Sequence, residues 1–288
     1  MPVPQRQRKT VRGRRLSTEL KRLREAADMP GEQVASELKW SQSKVSRIEN
    51  GRTQVSARDL RSLLTLYGVE ADRHERYLEL SKGARLKGWW DEYADAIPRD
   101  YANYIELETE ASSLLIYTPQ IVTGILQTED YARHVIQSAL LISPPGEVNR
   151  RIKVRMERQE RFVRDRPRSL SVVLDEAALR REVGGPQVMR AQLNRLLELG
   201  EEDNVTLRVL PFDAGEHPAT AGEFTILRFP DEEDTDVVHV EAMTSSLYVE
   251  QEAEVFRYTL AFNQLCASAL PPEESSDFMA SLLKEGEG

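Results

Sequence analysis

Apolar residues recur at helical spacing through the first part of the chain. Leu16, Leu20, Leu23 and Ala27 form one stripe, Val34 and Leu38 a second, Val45 and Ile48 a third, and Leu60, Leu63, Leu64 and Tyr67 a fourth. Residues three and four apart share a helix face, so each stripe predicts one amphipathic helix. Met29-Pro30-Gly31, Ser41, Gly51 and Gly68 punctuate the stripes and leave room only for short turns. About five helices are therefore expected between residues 16 and 82. They are preceded by a basic, aperiodic arm at 1–15, expected to be disordered.

Residues 83–90 contain two glycines and read as a junction. Residues 91–168 again read as helical, broken at Pro144-Pro145-Gly146. The character then changes. Short runs of β type stand at 170–174, 205–210, 224–229 and 237–240, with an amphipathic helix at 186–199 between the first two and another at 250–269. The three later runs are too close together for crossover helices, which predicts hairpin connections. The class expected is α+β: an all-α N-terminal domain, then a larger mixed domain with a small, largely antiparallel sheet within 169–272. Residues 273–288 are expected to be an acidic tail.

Composition changes this picture in one respect. The formal net charge of the 288 residues is −9, which taken alone disfavours nucleic acid. The charge is unevenly placed: residues 1–88 hold 20 Lys and Arg against 11 Asp and Glu, and the remainder holds 19 against 37. A basic head on an acidic body predicts that the head alone approaches phosphates. The single cysteine, Cys266, lies in an apolar run and reads as a small core residue in a reducing compartment. No run is long enough to span a bilayer, and the basic start lacks the apolar segment of a secretory signal, so a cytoplasmic protein is expected.

Residues 31–50 carry the most specific signal. Two helices that cross at a tight turn need a small residue at the contact, which Ala35 supplies, and Val34, Leu38, Val45 and Ile48 give a shared apolar seam that Trp40 can cover. Ser41 is a good N-cap for the helix that follows. That helix would present Gln42, Ser43, Lys44, Ser46 and Arg47 outward. Gln pairs with adenine N6 and N7, and Lys or Arg with guanine O6 and N7, so this is the chemistry of a recognition helix. The DNA-contact candidates are Ser41, Gln42, Ser43, Lys44 and Arg47 for bases and nearby phosphates, Arg52 for backbone, and Gln33 at the start of the preceding helix. The blander alternative is a helical bundle for protein contact with 41–47 as a solvated face. The arm residues Arg6, Arg8, Lys9, Arg12, Arg14 and Arg15 would add phosphate or minor-groove contacts, or serve solubility alone.

Val34-Ala35, Leu38, Ser41-Gln42-Ser43, Val45 and Ile48-Glu49-Asn50-Gly51 resemble the phage-repressor-like (XRE-type) helix-turn-helix regulators. That resemblance implies a structural ion pair between Arg24 and Glu49, which takes Glu49 out of base reading. Two positions depart from the pattern. Gly31 stands where a phosphate-touching Gln is usual, so that contact is lost or passes to Gln33 or the backbone amides. Lys39 stands where a left-handed Gly usually ends the second helix.

Further along, Trp89-Trp90-Asp91-Glu92-Tyr93, residues 104–111, residues 117–132, Arg158-Gln159-Glu160 and Val209-Leu210-Pro211-Phe212 resemble an actinobacterial family in which a repressor-type domain precedes a domain of unknown function. Its members are described as antitoxin-like and resemble regulators of Streptomyces development. The resemblance implies a transcription factor, often encoded beside a small partner protein. Two readings follow. One is a regulator whose second domain dimerises and takes a partner or signal. The other is an antitoxin-like module whose main role is to hold the small partner, with DNA binding as autoregulation. A homodimer on double-stranded operator DNA is expected, because two half-sites about 34 Å apart give specificity that one lacks.

No catalytic constellation stands out. His74, His134, His217 and His239 lack paired ligand spacing, so neither a metal nor a cofactor is expected. Asp175-Glu176 follow a β run, where catalytic carboxylates occur, but read more simply as a helix N-cap. Nine cations between Arg150 and Arg168 suggest pairing within the acidic body rather than a second DNA contact. Trp89, Trp90, Tyr93, Tyr101 and Tyr104 line a ligand pocket or, more simply, a core.

Overall fold

The computed structural model describes residues 11–83, 88–139, 145–164, 168–230 and 235–285. The chain divides into two compact units that meet in sequence at Trp89 and Trp90.

The first unit is five helices: α1 (Val11–Ala26), α2 (Gly31–Glu37), α3 (Gln42–Glu49), α4 (Ala57–Leu66) and α5 (His74–Gly83). Helix α1 opens at Val11, so residues 11–15 of the expected arm are helical, and residues 1–10 lie outside the described residues. Arginine is a good helix former, and Ser17 Oγ donates to the Gly13 carbonyl at 2.9 Å, within the added turn. The predicted stripes meet in one core, with Leu20, Val34, Leu60 and Leu64 fully buried and Tyr77 and Leu78 of α5 joining them.

Four successive helices close by the same device. The residue after the C-cap turns left-handed at Asp28, Lys39, Gly51 and Gly68 (φ 52°, 53°, 59° and 74°). In each case the next amide returns to a carbonyl five residues back: Met29 to Arg24, Trp40 to Ala35, Arg52 to Arg47 and Val69 to Leu64. These are Schellman closures. At Gly51 the glycine is favoured twice over, since a Cβ there would also crowd Ser17 Oγ at 3.3 Å.

The second unit is built on a mixed six-stranded sheet. In chain order its elements are α6 (Arg99–Glu110), β1 (Ser113–Thr118), α7 (Glu129–Ala139), α8 (Pro145–Arg164), β2 (Ser169–Asp175), α9 (Glu176–Arg180), α10 (Pro186–Gly200), β3 (Val205–Leu210), β4 (Phe224–Arg228), β5 (Val237–Glu241), β6 (Ser246–Val249), α11 (Glu252–Ser268) and α12 (Pro272–Glu285). The sheet order is β3-β2-β1-β4-β5-β6. The β4, β5 and β6 ladders are antiparallel, as the short connections require, while β1–β2 and β2–β3 are parallel and bridged by helices.

Three expectations are corrected here. Residues 113–118, within the stretch read as helical, form the central strand β1, and 246–249 form the edge strand β6. The acidic tail is largely helix α12, which buries Ser275 and Met279. Ser275 Oγ accepts from the Val209 amide, and the Leu270 amide donates to the Val209 carbonyl, so this corner covers the outer edge of β3.

Alternation divides the sheet. Tyr117, Phe224, Ile226, Val238 and Val249 face α11 and pack with Val255, Phe262 and Leu265. On the opposite face Thr225 and His239 approach Tyr104 of α6. The connection from β1 to α7 is irregular, buried and stitched by amide side chains. Gln127 donates to the Val122 carbonyl, Gln192 to Leu126, and Gln159 to both Gly124 and Gln127. The Tyr131 hydroxyl accepts from the Val122 amide. A buried loop needs such partners because unpaired backbone groups away from water are costly. Much of the 117–132 motif is accounted for by this need.

Candidate nucleic-acid interface

Helix α3 is positioned from three sides. Its inner residues Val45 and Ile48 are buried in the seam against Val34 and Ala35 of α2. Ser41 caps it, the hydroxyl accepting from the Lys44 amide at 3.3 Å. Its far end is tied to α1 by a two-pronged ion pair, Arg24 Nε to Glu49 Oε1 at 2.8 Å and Nη2 to Oε2 at 3.2 Å. The remaining arm of the guanidinium donates to the Met29 carbonyl at 2.8 Å, so one side chain holds both the α1–α2 turn and the end of α3. The hydrogen bonds that Arg24 donates to Glu49 raise its already high pKa. Neither partner is free to read a base.

The outer row of α3 is open. Gln42, Ser43, Ser46 and Arg47 are exposed, as are Ser41, Gln33 and Arg52. The Gln42 amide nitrogen donates to Glu32 Oε1 at 3.2 Å, which leaves its carbonyl oxygen and a second N–H available. The hydroxyls of Ser41 and Ser43 lie 3.0 Å apart. Arg47 and Arg52 adjoin through the turn at Gly51, where the Arg52 amide meets the Arg47 carbonyl at 2.7 Å.

Lys44 departs from the expected arrangement. Its ammonium sits 3.6 Å from the centre of the Trp40 ring and 3.0 Å from Asp59 Oδ2 on α4. The Trp40 face and the Asp59 carboxylate both attract a cation, and together they turn Lys44 back from the outer row. Its position four residues after Trp40 was the sequence signal; the Asp59 contact had none. Lys39 holds the left-handed position at the end of α2 and is exposed. A lysine there is less favourable than glycine by about 1 kcal/mol.

In the second unit the cations of α8 face inward or pair locally. Arg150 pairs with Asp95, Arg151 with Glu147, Arg161 with Glu157 and Arg164 with Glu160. Arg155 donates to Gln127, and Arg168 to the Thr109 carbonyl. Arg166 lies outside the described residues. Arg158 is only 6% exposed and meets Glu108, 2% exposed, at 3.0 Å. It donates to the Tyr101 hydroxyl at 2.7 Å and lies over the Tyr101 and Tyr104 rings. Asp175 caps α9, and Glu176 accepts from the Phe212 amide, so these two carboxylates serve structure. Among the described residues no cluster of His, Cys, Asp and Glu could hold a metal ion, and no helix is long and apolar enough to cross a membrane.

His239 adds a pH-sensitive element. It lies between Tyr104 and Tyr248, its ring tilted 45° and 41° to theirs, and its Nε2 is buried without a hydrogen-bond partner. Burial, helped by the Arg158 charge, lowers its pKa from 6.5 to about 4. The folded state therefore resists a proton that the unfolded chain accepts, and stability is lost as pH falls from about 6.5 towards about 4. At about 1.4 kcal/mol per pH unit, this group removes about 2 kcal/mol by pH 5. His239→Phe keeps the ring contacts and should remove that loss, read as urea unfolding at pH 7 and pH 5. An identical pH dependence in wild type and variant would contradict the assignment.

Comparison with known families follows the same division. A helix-turn-helix domain model matches residues 15–77, and a model described as a domain of unknown function (DUF5753) matches residues 101–281. Comparisons with curated proteins and with solved structures gave no match. The helix-turn-helix domain supports a DNA-binding regulator. The second match covers well over half of the chain, which therefore belongs to the DUF5753 family and carries a helix-turn-helix domain ahead of it.

Proposed function

We propose that this protein is a sequence-specific transcriptional regulator that reads double-stranded operator DNA as a dimer. The observation that carries the reading is α3 itself. It is locked from behind by Val45, Ile48 and the Arg24–Glu49 pair, and it presents Gln42, Ser43 and Arg47 together on its exposed side. Gln42 and Ser43, in the first turn, reach base edges in the major groove, where recognition helices make their base contacts. Arg47 serves a guanine or an adjoining phosphate, and Arg52 and Gln33 the backbone. Lys44, held by Trp40 and Asp59, acts as a support for the helix rather than as a reader. The second unit supplies dimerisation and takes a partner or signal, and the protein works in the cytoplasm, at the nucleoid when bound. The resemblance to antitoxin-like regulators leaves a rival role, holding a small protein through residues 89–288. A stoichiometric small protein copurifying with that part would favour it.

Selection of bound duplexes from a randomised pool tests the reading. The expected product is a motif with two related half-sites about one helical turn apart. A pool that stays random after repeated rounds would contradict sequence-specific binding.

A further inference from the structure

Two arginines of α8 converge on the connection from β1 to α7. Arg155 and Arg158 share one face of the helix. From the point that a Cβ would take on Gly124, Arg158 Nη2 lies 3.1 Å away and Arg155 Nε 3.5 Å away. Each guanidinium is pinned by its other nitrogens. Arg158 is held by Glu108 at Nε and by the Tyr101 hydroxyl at Nη1, and Arg155 by Gln127 at Nη1. The nitrogens that meet at Gly124 are not used in this way. Arg155 Nε is buried without a hydrogen-bond partner, and Arg158 Nη2 makes no hydrogen bond among the described residues.

The chemistry of the pair selects its occupant. Two guanidiniums side by side repel each other, and an oxyanion is attracted by both while accepting their N–H groups. The geometry leaves room for it. The φ of Gly124 is not left-handed, so the backbone does not call for glycine there; the missing side chain leaves space beside the two cations. Gly124 and Arg155 are half-buried, so the place is reached from solvent. Glu223 lies near enough to Arg155 to feel its charge, and burial together with the charge of Glu241 raises its pKa to about 7. A carboxyl that keeps its proton up to neutral pH donates to an oxyanion instead of repelling it.

We propose that Arg155 and Arg158, converging beside Gly124, form a binding site for a small molecule that carries a carboxylate or phosphate group. Its use as the signal input of the second unit rests on the proposed regulatory reading; the binding itself does not. Thermal unfolding of the full chain tests it, titrated with inorganic phosphate and separately with acetate, at constant ionic strength made up with chloride. The unfolding midpoint should rise and saturate with at least one of them, and the stronger response identifies the group. Arg155→Gln should raise the apparent dissociation constant of that anion by about tenfold or more, through loss of a charge-assisted hydrogen bond. Gly124→Ala should weaken binding likewise, because its Cβ crowds Arg158, which Glu108 and Tyr101 keep from swinging away. Lys153→Gln, at an exposed cation of the same helix, should leave the response unchanged. No saturable rise with either anion, or an equal rise in wild type and both site variants, would overturn the site. Should Gly124→Ala fail to fold, Arg155→Gln must still weaken binding. The two readings fail separately. A saturable response at this site in a protein that selects no duplex upholds the site and removes the operator, and a selected duplex without that response does the reverse.

Discussion

Replacing Arg158 by Met should lower the stability of the second unit by about 3–5 kcal/mol, the cost of leaving one partner of a buried ion pair uncompensated. At about 2–4 °C per kcal/mol for a unit of this size, the melting midpoint should fall by about 6–20 °C. The reason lies in what remains. Glu108 is 2% exposed, its Oε1 already lacks a hydrogen-bond partner, and Arg158 is the cation that holds it charged. Burial raises the Glu108 pKa, and the Arg158 charge opposes that rise. Without Arg158 the carboxyl should hold its proton to higher pH in the folded chain than in the unfolded one. Such a group loses stability as pH rises through that window, so Arg158→Met should be least damaging near pH 5 and most damaging near pH 8. Removing both charges, as Glu108→Leu with Arg158→Met, should recover most of the loss, because an apolar pair needs no desolvation. Thermal melts of the two single variants and the double variant decide it. Equal losses in single and double variants would show that packing, not charge, is at stake.

The first unit was more legible in the sequence than the second, for physical reasons. Its helices are amphipathic, and two of their closures use Gly51 and Gly68, residues that announce a left-handed turn. The closures at Asp28 and Lys39 use side chains that do not, although the resemblance to repressor-type domains pointed to Lys39. Strand β1 escaped because five successive residues, Leu114 to Thr118, are buried, and a strand covered on both faces loses the alternation that marks it. Strand β6 is four residues long, too short for a pattern. In α12 the composition hid the period: Glu273, Glu274 and Asp277 are exposed, while Ser275 and Met279 form the buried contact. Parallel pairing of β2 with β1 and β3 joins residues about sixty and thirty-five positions apart, which no local pattern encodes. The outer row of α3 could be drawn from spacing alone. Which of its members is held back depends on Asp59, on the next helix, and spacing is silent on that.

Gln42 carries the largest effect expected at the DNA. A glutamine amide that meets adenine through both its oxygen and its N–H discriminates against other bases by about 1–3 kcal/mol per half-site. Glu32 takes one N–H of the amide, which leaves one donor and the oxygen for that contact. A dimer makes the contact twice, so Gln42→Ala should weaken binding to the selected duplex by at least about tenfold. Gln42 is uncharged, and the variant should therefore keep the wild-type slope of affinity against salt and the wild-type affinity for random duplex. Arg47→Ala is a different case: loss of a phosphate contact would flatten that slope, and loss of a guanine contact would relax one base position. The most direct test of α3 as the reading element is the affinity of wild type and Gln42→Ala for the selected duplex and for its single-base variants, at one fixed salt concentration. The arrangement predicts that the variant loses affinity for the selected duplex and no longer distinguishes one base pair in each half-site. Unchanged affinity with unchanged base preference would contradict it.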